Sequence, residues 1–366
     1  MKNVIKKSFA IALITLIVFC NLVPALAAGA DIYASTTRIA SLKLGYDGTQ
    51  GLSVTSSGAN KRLFVVRVGE NSTMATLYMY MDYTSMSNNN NAGQFGTFNL
   101  PNLVGHANGM AIDNTYIYIL RGNNDNFIPE VVRIKREYLW DMYNDTDATD
   151  KGTLYINEGD VDILTAEYSD GTQFNADVVD ADDADEIHAI TYYKDGKFIV
   201  KTTKTIDDET NTHYLNFTTA EVVGNKLVIS KSASDKFQVV FDTTDTHGQD
   251  IGYDPDCGLF IVTSVIGAPS NNIVWIKLNS RTGDNRVYTS ENSKYRIIRV
   301  NKSSDIFTKY ELESVSIGID NHMYASVNTA VKNSAYSQYS PDAIIRIERP
   351  TAINNDTRFM GDTFVQ

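Results

Sequence analysis

Histidine, cysteine and tryptophan are scarce in this chain of 366 residues, which holds five, two and two of them. Cys20 lies in an N-terminal apolar run, so Cys257 is left with no partner for an intramolecular disulfide. A chain of this length must then rest on an apolar core rather than on a disulfide framework. Cys257 falls in the turn Asp254-Pro-Asp-Cys-Gly258 with no neighbouring base to activate it, and reads as a small structural residue. Also missing are a phosphate loop, Gly-x-Gly-x-x-Gly, Gly-x-Ser-x-Gly, His-Glu-x-x-His and any Cys-x-x-Cys pair. The common nucleotide-binding, serine-hydrolase and zinc-protease motifs are thereby excluded. Basic residues are outnumbered, 32 against 44 acids, for a net charge of −12. Such a surface repels phosphate and anionic lipid, which excludes nucleic acid as a partner and leaves neutral glycans, cationic partners or calcium compatible. Beyond residue 27 no stretch is long and apolar enough to span a bilayer.

The N-terminus has the three parts of a secretory signal. Lys2, Lys6 and Lys7 are followed by an uncharged, mostly apolar run over 9–22 and by Ala25-Leu-Ala27. Phe19 precedes Cys20 where a lipoprotein signal needs a small residue. Residues 1–27 are therefore expected to be removed and the protein to be secreted. The signal holds three lysines and no acid, so the charge of the remainder becomes −15. A single domain is expected over 28–350, with 351–366 as a tail beyond Pro350, and the protein is expected to be a monomer.

What the chain does have is an internal repeat. Five segments align on a small residue: Gln50-Gly-Leu-Ser-Val54, Asn108-Gly-Met-Ala-Ile112, His188-Ala-Ile-Thr-Tyr192, Gln249-Asp-Ile-Gly-Tyr253 and Val315-Ser-Ile-Gly-Ile319. Gly51, Gly109, Ala189, Asp250 and Ser316 are separated by 58, 80, 61 and 66 residues. Turn residues follow four of the segments (Asp113-Asn114, Asp195-Gly196, Asp254-Pro-Asp256, Asp320-Asn321), and β-rich runs follow at 63–68, 116–120, 198–200, 259–262 and 323–327. Third strands are predicted at 131–135, 273–277 and 344–348, and fourth strands at 95–100, 237–241 and 307–312. Apolar periodicity of two, carried by Ile, Val, Tyr and Thr, rules out a helical reading. Four strands per unit repeated around a ring predict an all-β, five-bladed β-propeller. The strand over 34–44 is expected to complete the last blade and close the ring. The long interval predicts an insertion at about 140–185, in which Asp177, Asp180, Asp182, Asp183 and Asp185 lack calcium-loop spacing and read as a solvated loop.

In a propeller the innermost strands line a central channel and their starts crowd one mouth. Three residues before each small position stand Gly48, His106, Glu186, His247 and Glu313; immediately before it stand Gln50, Asn108, His188, Gln249 and Val315. His106, Asn108, Glu186, His188, His247, Gln249, Glu313 and Gln50 are therefore the candidate ligand-binding set. Within it, His106, His247, Glu186 and Glu313 could hold a divalent metal, zinc or calcium, or do acid–base work. Polar residues at a water-facing mouth also have a purely structural reading. The twenty-one tyrosines, among them Tyr78, Tyr80, Tyr116, Tyr118, Tyr192 and Tyr193, suit both strands and sugar recognition.

The stretch Gly105-His-Ala-Asn-Gly-Met-Ala-Ile112 and its echo His247-Gly-Gln-Asp-Ile-Gly-Tyr253 resemble the inner-strand motif of secreted bacterial five-bladed propellers. Helveticin J-type bacteriocins and some phage and teichoic-acid-associated propellers are similar, and the Gly-Ile-x-x-Asp then Tyr-Ile-Tyr cadence resembles NHL-like repeats. The other three repeats depart from the motif, with Gly48, Glu186 or Glu313 at the histidine position. The resemblance implies a binding protein of the bacterial envelope, with a glycan or cell-surface component as partner, and a helveticin-like antibacterial role as one version. The alternative is a metal-assisted or carboxylate-dependent hydrolase or lyase acting at the channel mouth.

Overall fold

The computed structural model describes residues 32–33, 36–42, 48–55, 61–69, 73–86, 94–122, 128–145, 154–175, 186–207, 212–241, 247–264, 270–276, 278, 287–288, 295–301, 307–320, 322–331 and 342–348. The expected signal at 1–27, the aspartate-rich stretch 176–185 and the expected tail 351–366 lie outside these residues.

The chain forms a β-propeller. Its first unit runs Gly48–Val54, Leu63–Val68, Met74–Tyr80, Gln94–Pro101, each strand antiparallel to the next. The second is Met110–Ile112, Tyr116–Arg121, Glu130–Lys135, Asp162–Tyr168. The third is Ile187–Lys194, Lys197–Asp207, Thr212–Val223, Phe237–Phe241, and the fourth His247–Asp254, Gly258–Ser264, Ser270–Ile276, Tyr295–Asn301. The fifth takes Phe307–Ile317, Met323–Val331 and Ala343–Ile347 from the C-terminal part of the chain. Its outer strand, Thr36–Ser41, comes from the N-terminal part and pairs antiparallel with Ala343–Ile347. The ring is thus closed by hydrogen bonds between the two ends of the domain. Each inner strand packs against the next, and the fifth against the first.

One fourth strand differs from expectation. Residues 307–312 are not the outer strand of unit four; they begin the eleven-residue inner strand of unit five, and Tyr295–Asn301 is the outer strand. A register shift between Leu312 and Ser314 divides that inner strand, so its halves look like separate elements in sequence. The insertion in unit two is a helix, Arg136–Asp145, followed by a two-residue strand, Leu154–Tyr155.

That short strand belongs to a pattern. Leu154–Tyr155, in the connection between the third and fourth strands of unit two, lies parallel on the outer strand of unit one. The same connection in unit three supplies Lys226–Ile229 to the outer strand of unit two. Unit four supplies Val287–Tyr288 to unit three, and Ile32–Tyr33, just before the closing strand of unit five, lies on unit four. Four outer edges are thereby covered, and successive sheets are tied by backbone hydrogen bonds.

Five apolar clusters fill the spaces between neighbouring units. Leu63–Val68 shows how one strand serves two of them. Phe64, Val66 and Val68 face unit two, while Leu63 and Val65 face unit five. With both faces covered, the run Leu-Phe-Val-Val-Arg-Val is buried throughout. Cys257 is buried between units four and five, and its carbonyl accepts the Trp275 indole N–H at 2.7 Å.

The axis explains the recurring small residue. A Cβ on Gly51 would lie 3.0 Å from Met110 Cβ, one on Gly109 2.9 Å from Asp250 Oδ1, and one on Gly252 2.5 Å from the Val315 carbonyl oxygen. Inner strands approach too closely at these glycines for larger side chains; Gly252 lies two residues past the aligned position, which Asp250 takes in unit four. The aspartates after the repeats make Asx turns. Asp113 Oδ1 accepts the N–H groups of Thr115 and Tyr116, and Asp254 Oδ1 those of Asp256 and Cys257.

Candidate functional site

The start-of-strand mouth is built on bulges. Register shifts fall between Thr49 and Gly51, Ile187 and Ala189, Gly248 and Ile251, and Leu312 and Ser314. The residues they release are Gln50, His188, Gln249 with Asp250, and Glu313. A bulge re-aims a side chain that the ladder would otherwise fix, so four inner strands break register at or near the aligned positions.

These side chains make three groups. The buried Glu313 accepts from Asn328 Nδ2, and Asn328 Oδ1 accepts both the N–H and the hydroxyl of Thr49 at 2.7 Å. Unit five is thus pinned to unit one. Gln249 donates to the buried Glu311 at 3.4 Å, and its carbonyl accepts from the buried Lys201 ammonium at 2.8 Å; Lys201 also donates to the Gly248 carbonyl. His188 Nε2 stands 3.2 Å from Glu186 Oε2. Gln50 and Asn108 are half-buried. His106 sits exposed in the turn ahead of its strand, packed on Gly122, where an added Cβ would meet the His106 Cβ at 2.8 Å; partial desolvation of its ring lowers its pKa. The His247 backbone opens the fourth inner strand opposite Ser264, and its side chain lies outside the described residues. Among the described residues, no three histidine, cysteine or acidic side chains converge as a metal site.

Asp250 occupies the axis itself, where the other repeats carry Gly51, Gly109, Ala189 and Ser316. Its Oδ1 accepts the N–H of Ile251 at 2.8 Å, and the backbone N–H groups of Met110 and Ile190, from two other units, also act on the carboxylate. Oδ2 is buried without a hydrogen-bond partner. Burial pushes the carboxyl well above the usual carboxylate range, against the pull of those N–H groups and of the Lys201 ammonium.

The other mouth, where the inner strands end, opens into a cavity of about 340 Å³. Tyr192, Tyr193 and Tyr253 line it with Asp254 and Asp256, and Ser53, Thr191 and Ser316 add hydroxyls. A further bulge, between Tyr192 and Lys194, turns the third inner strand here. The Tyr193 and Tyr253 rings meet edge to face at 4.8 Å. Burial, then the neighbouring Tyr193 and Asp254, raise the Tyr253 phenol above its ordinary range. Beyond the cavity lining, His322 lies 3.0 Å from both Asp320 and Glu348. Tyr192 and Tyr193 were legible as strand tyrosines and Tyr253 as the last residue of its inner-strand segment; Asp254 and Asp256 were legible only as turn residues.

No protein-family model matches the chain, and no curated protein matches it. Among solved structures it is similar to a gluconolactonase from Xanthomonas campestris, at 9% identity over 89% of this chain and 93% of that one, with a TM-score of 0.40. It is also similar to the hemagglutinin-neuraminidase ectodomain of parainfluenza virus 5, at 10% identity over 88% and 87%, TM-score 0.39. The catalytic domain of a GH62 α-L-arabinofuranosidase from Coprinopsis cinerea matches at 10% identity over 87% and 97%, TM-score 0.40. Among the described residues no helix is long and apolar enough to cross a membrane.

Proposed function

We propose that this protein is a secreted, monomeric five-bladed propeller that binds a glycan or another surface component of the bacterial envelope. The ligand is held in the tyrosine-lined mouth of the channel. The cavity of about 340 Å³ carries this reading. Its size is that of a small-ligand site, and its mixture of aromatic faces with a few hydroxyls and carboxylates is what sugar recognition needs. A ring face covers the apolar face of a pyranose, and the polar groups accept from or donate to its hydroxyls. The amide and carboxylate side chains of the opposite mouth, Gln50, Asn108, His188, Gln249, Glu186 and Glu313, form a second polar surface, several of whose members are engaged with one another. An antibacterial role of the helveticin J kind is one version of this function.

Calorimetric titration of envelope glycans into residues 28–366 tests the reading. Tyr193→Ala with Tyr253→Ala should abolish binding, while Gln50→Ala with Gln249→Ala should leave it within about twofold. The reverse pattern would move the site to the start-of-strand mouth. A hydrolase or lyase is the second reading, favoured by His188 and Glu186 at 3.2 Å, a base held by a carboxylate. It requires glycan cleavage that His188→Ala removes.

A further inference from the structure

The cavity at the strand ends has a one-sided chemistry. Its aromatic residues are Tyr192, Tyr193 and Tyr253, its ionisable carboxylates are Asp254 and Asp256, and among the described residues no lysine, arginine or histidine lines it. Tyrosine faces carry negative potential, and a ring face with a carboxylate beside it is the usual receptor for an organic ammonium. The site already shows that preference within the chain. The Lys194 ammonium stands 5.1 Å from the Tyr193 ring centroid, although Lys194 does not line the cavity. The same arrangement repels anions: a uronate or phosphate would enter against two carboxylates and a net charge of −12 with no cation at the wall.

We infer that the tyrosine–aspartate cavity recognises a protonated amino group, and that the glycan it takes is an amino sugar with a free rather than an acetylated nitrogen. This rests on the glycan reading above and narrows it. The ammonium sets the charge selectivity, and the sugar ring supplies the apolar face for stacking. Lys194 acts as a resident competitor: its charge reaches the face of Tyr193 and weakens a second cation there.

The test is calorimetric titration of residues 28–366 at about pH 6, where amino groups are protonated. The probes are glucosamine tetramer, N-acetylglucosamine tetramer, galacturonate tetramer and tetramethylammonium. The free amine should bind about tenfold or more tightly than the acetylated tetramer, and galacturonate should not bind. Asp256→Asn, at an exposed turn position, should weaken the amine about threefold to tenfold without lowering the melting temperature. Lys194→Met should tighten the free amine and leave the acetylated tetramer unchanged, a response that a purely structural lysine would not give. Equal affinity for the two tetramers, with no effect of Lys194→Met, overturns the ammonium inference and leaves the glycan reading standing. Binding of tetramethylammonium but of neither amino-sugar tetramer keeps the ammonium site and overturns the glycan reading. Silence from all four probes overturns both.

Discussion

Replacing Asp250 separates two views of the channel axis. This buried carboxyl takes the N–H of Ile251 on Oδ1 and is also held by the backbone N–H groups of Met110 and Ile190 from two other units, while Oδ2 is buried without a hydrogen-bond partner. Asp250→Ala removes the acceptor. Stranding a buried donor costs about 1–3 kcal/mol, so the two N–H groups of Met110 and Ile190 set a loss of about 2–6 kcal/mol. Asp250→Asn keeps an acceptor oxygen in place and removes the ionisable group. Burial raises the folded-state pKa of Asp250, so the fold prefers the protonated form. The stability this contributes is complete below the unfolded pKa of about 3.9 and is lost as pH rises through the folded value. Asparagine is neutral throughout, so Asp250→Asn should gain on the parent protein as pH rises above about 4. A tenfold preference of the fold for the protonated form corresponds to about 1.4 kcal/mol. Urea unfolding of the parent and both variants between pH 4 and pH 8 measures this directly. If Asp250→Asn loses ground with rising pH, Asp250 is an ionised acceptor held by Lys201 and the three N–H groups, and the burial argument is wrong.

Two further substitutions test how the ring is held. Gly252→Ala would place a methyl 2.5 Å from the Val315 carbonyl oxygen, forcing the fourth and fifth inner strands apart; thermal melts should show a loss of about 1–3 kcal/mol, while Gly159→Ala, with nothing within 4 Å, should stay within about 0.5 kcal/mol. Asn328→Ala removes the acceptor of the Thr49 N–H and a donor to buried Glu313, so denaturant titration should show about 2–4 kcal/mol lost; an unchanged midpoint would mean that water replaces Asn328 at the seam.

The parts of this fold that were legible in the sequence are those where one physical constraint acts on every unit. Close approach at the axis favours small side chains, which left Gly51, Gly109, Ala189 and Ser316 in register, with Asp250 as the exception in unit four. The Asx turns left aspartate at fixed offsets. The closing strand was legible because the last unit supplied only three strands of its own. What escaped are features that break the period. The bulge at Glu313 made one long strand read as an end and a beginning, and moved the outer strand of unit four to the wrong segment. The parallel strands laid across the outer edges are as short as two residues and carry no periodicity.

The polar chemistry of the axis was hidden for a related reason. Aligning inner strands compares each side chain with its counterparts on other inner strands, whereas the groups that engage them come from elsewhere. Lys201 and Asn328 both lie on second strands: Lys201 holds Gln249 across a unit boundary, and Asn328 holds Glu313 within unit five while reaching Thr49 of unit one. The aligned set therefore contained the side chains that the bulges release but not the partners that satisfy them. The strand-end cavity inverts the case. Asp254 was read as turn chemistry, and its Oδ1 does make the turn, yet the same turn carries Asp256 to the cavity wall beside Tyr253. Asp254, which recurs in register with Asp113 and Asp320, and Asp256, two residues on, both line the cavity. Tyr192 and Tyr253 share one repeat position, which Val54, Ile112 and Ile319 fill in the other units. Two units thus bring an aromatic ring to a rim where the other three carry aliphatic side chains, and these rings face the cavity that the turn carboxylates also line.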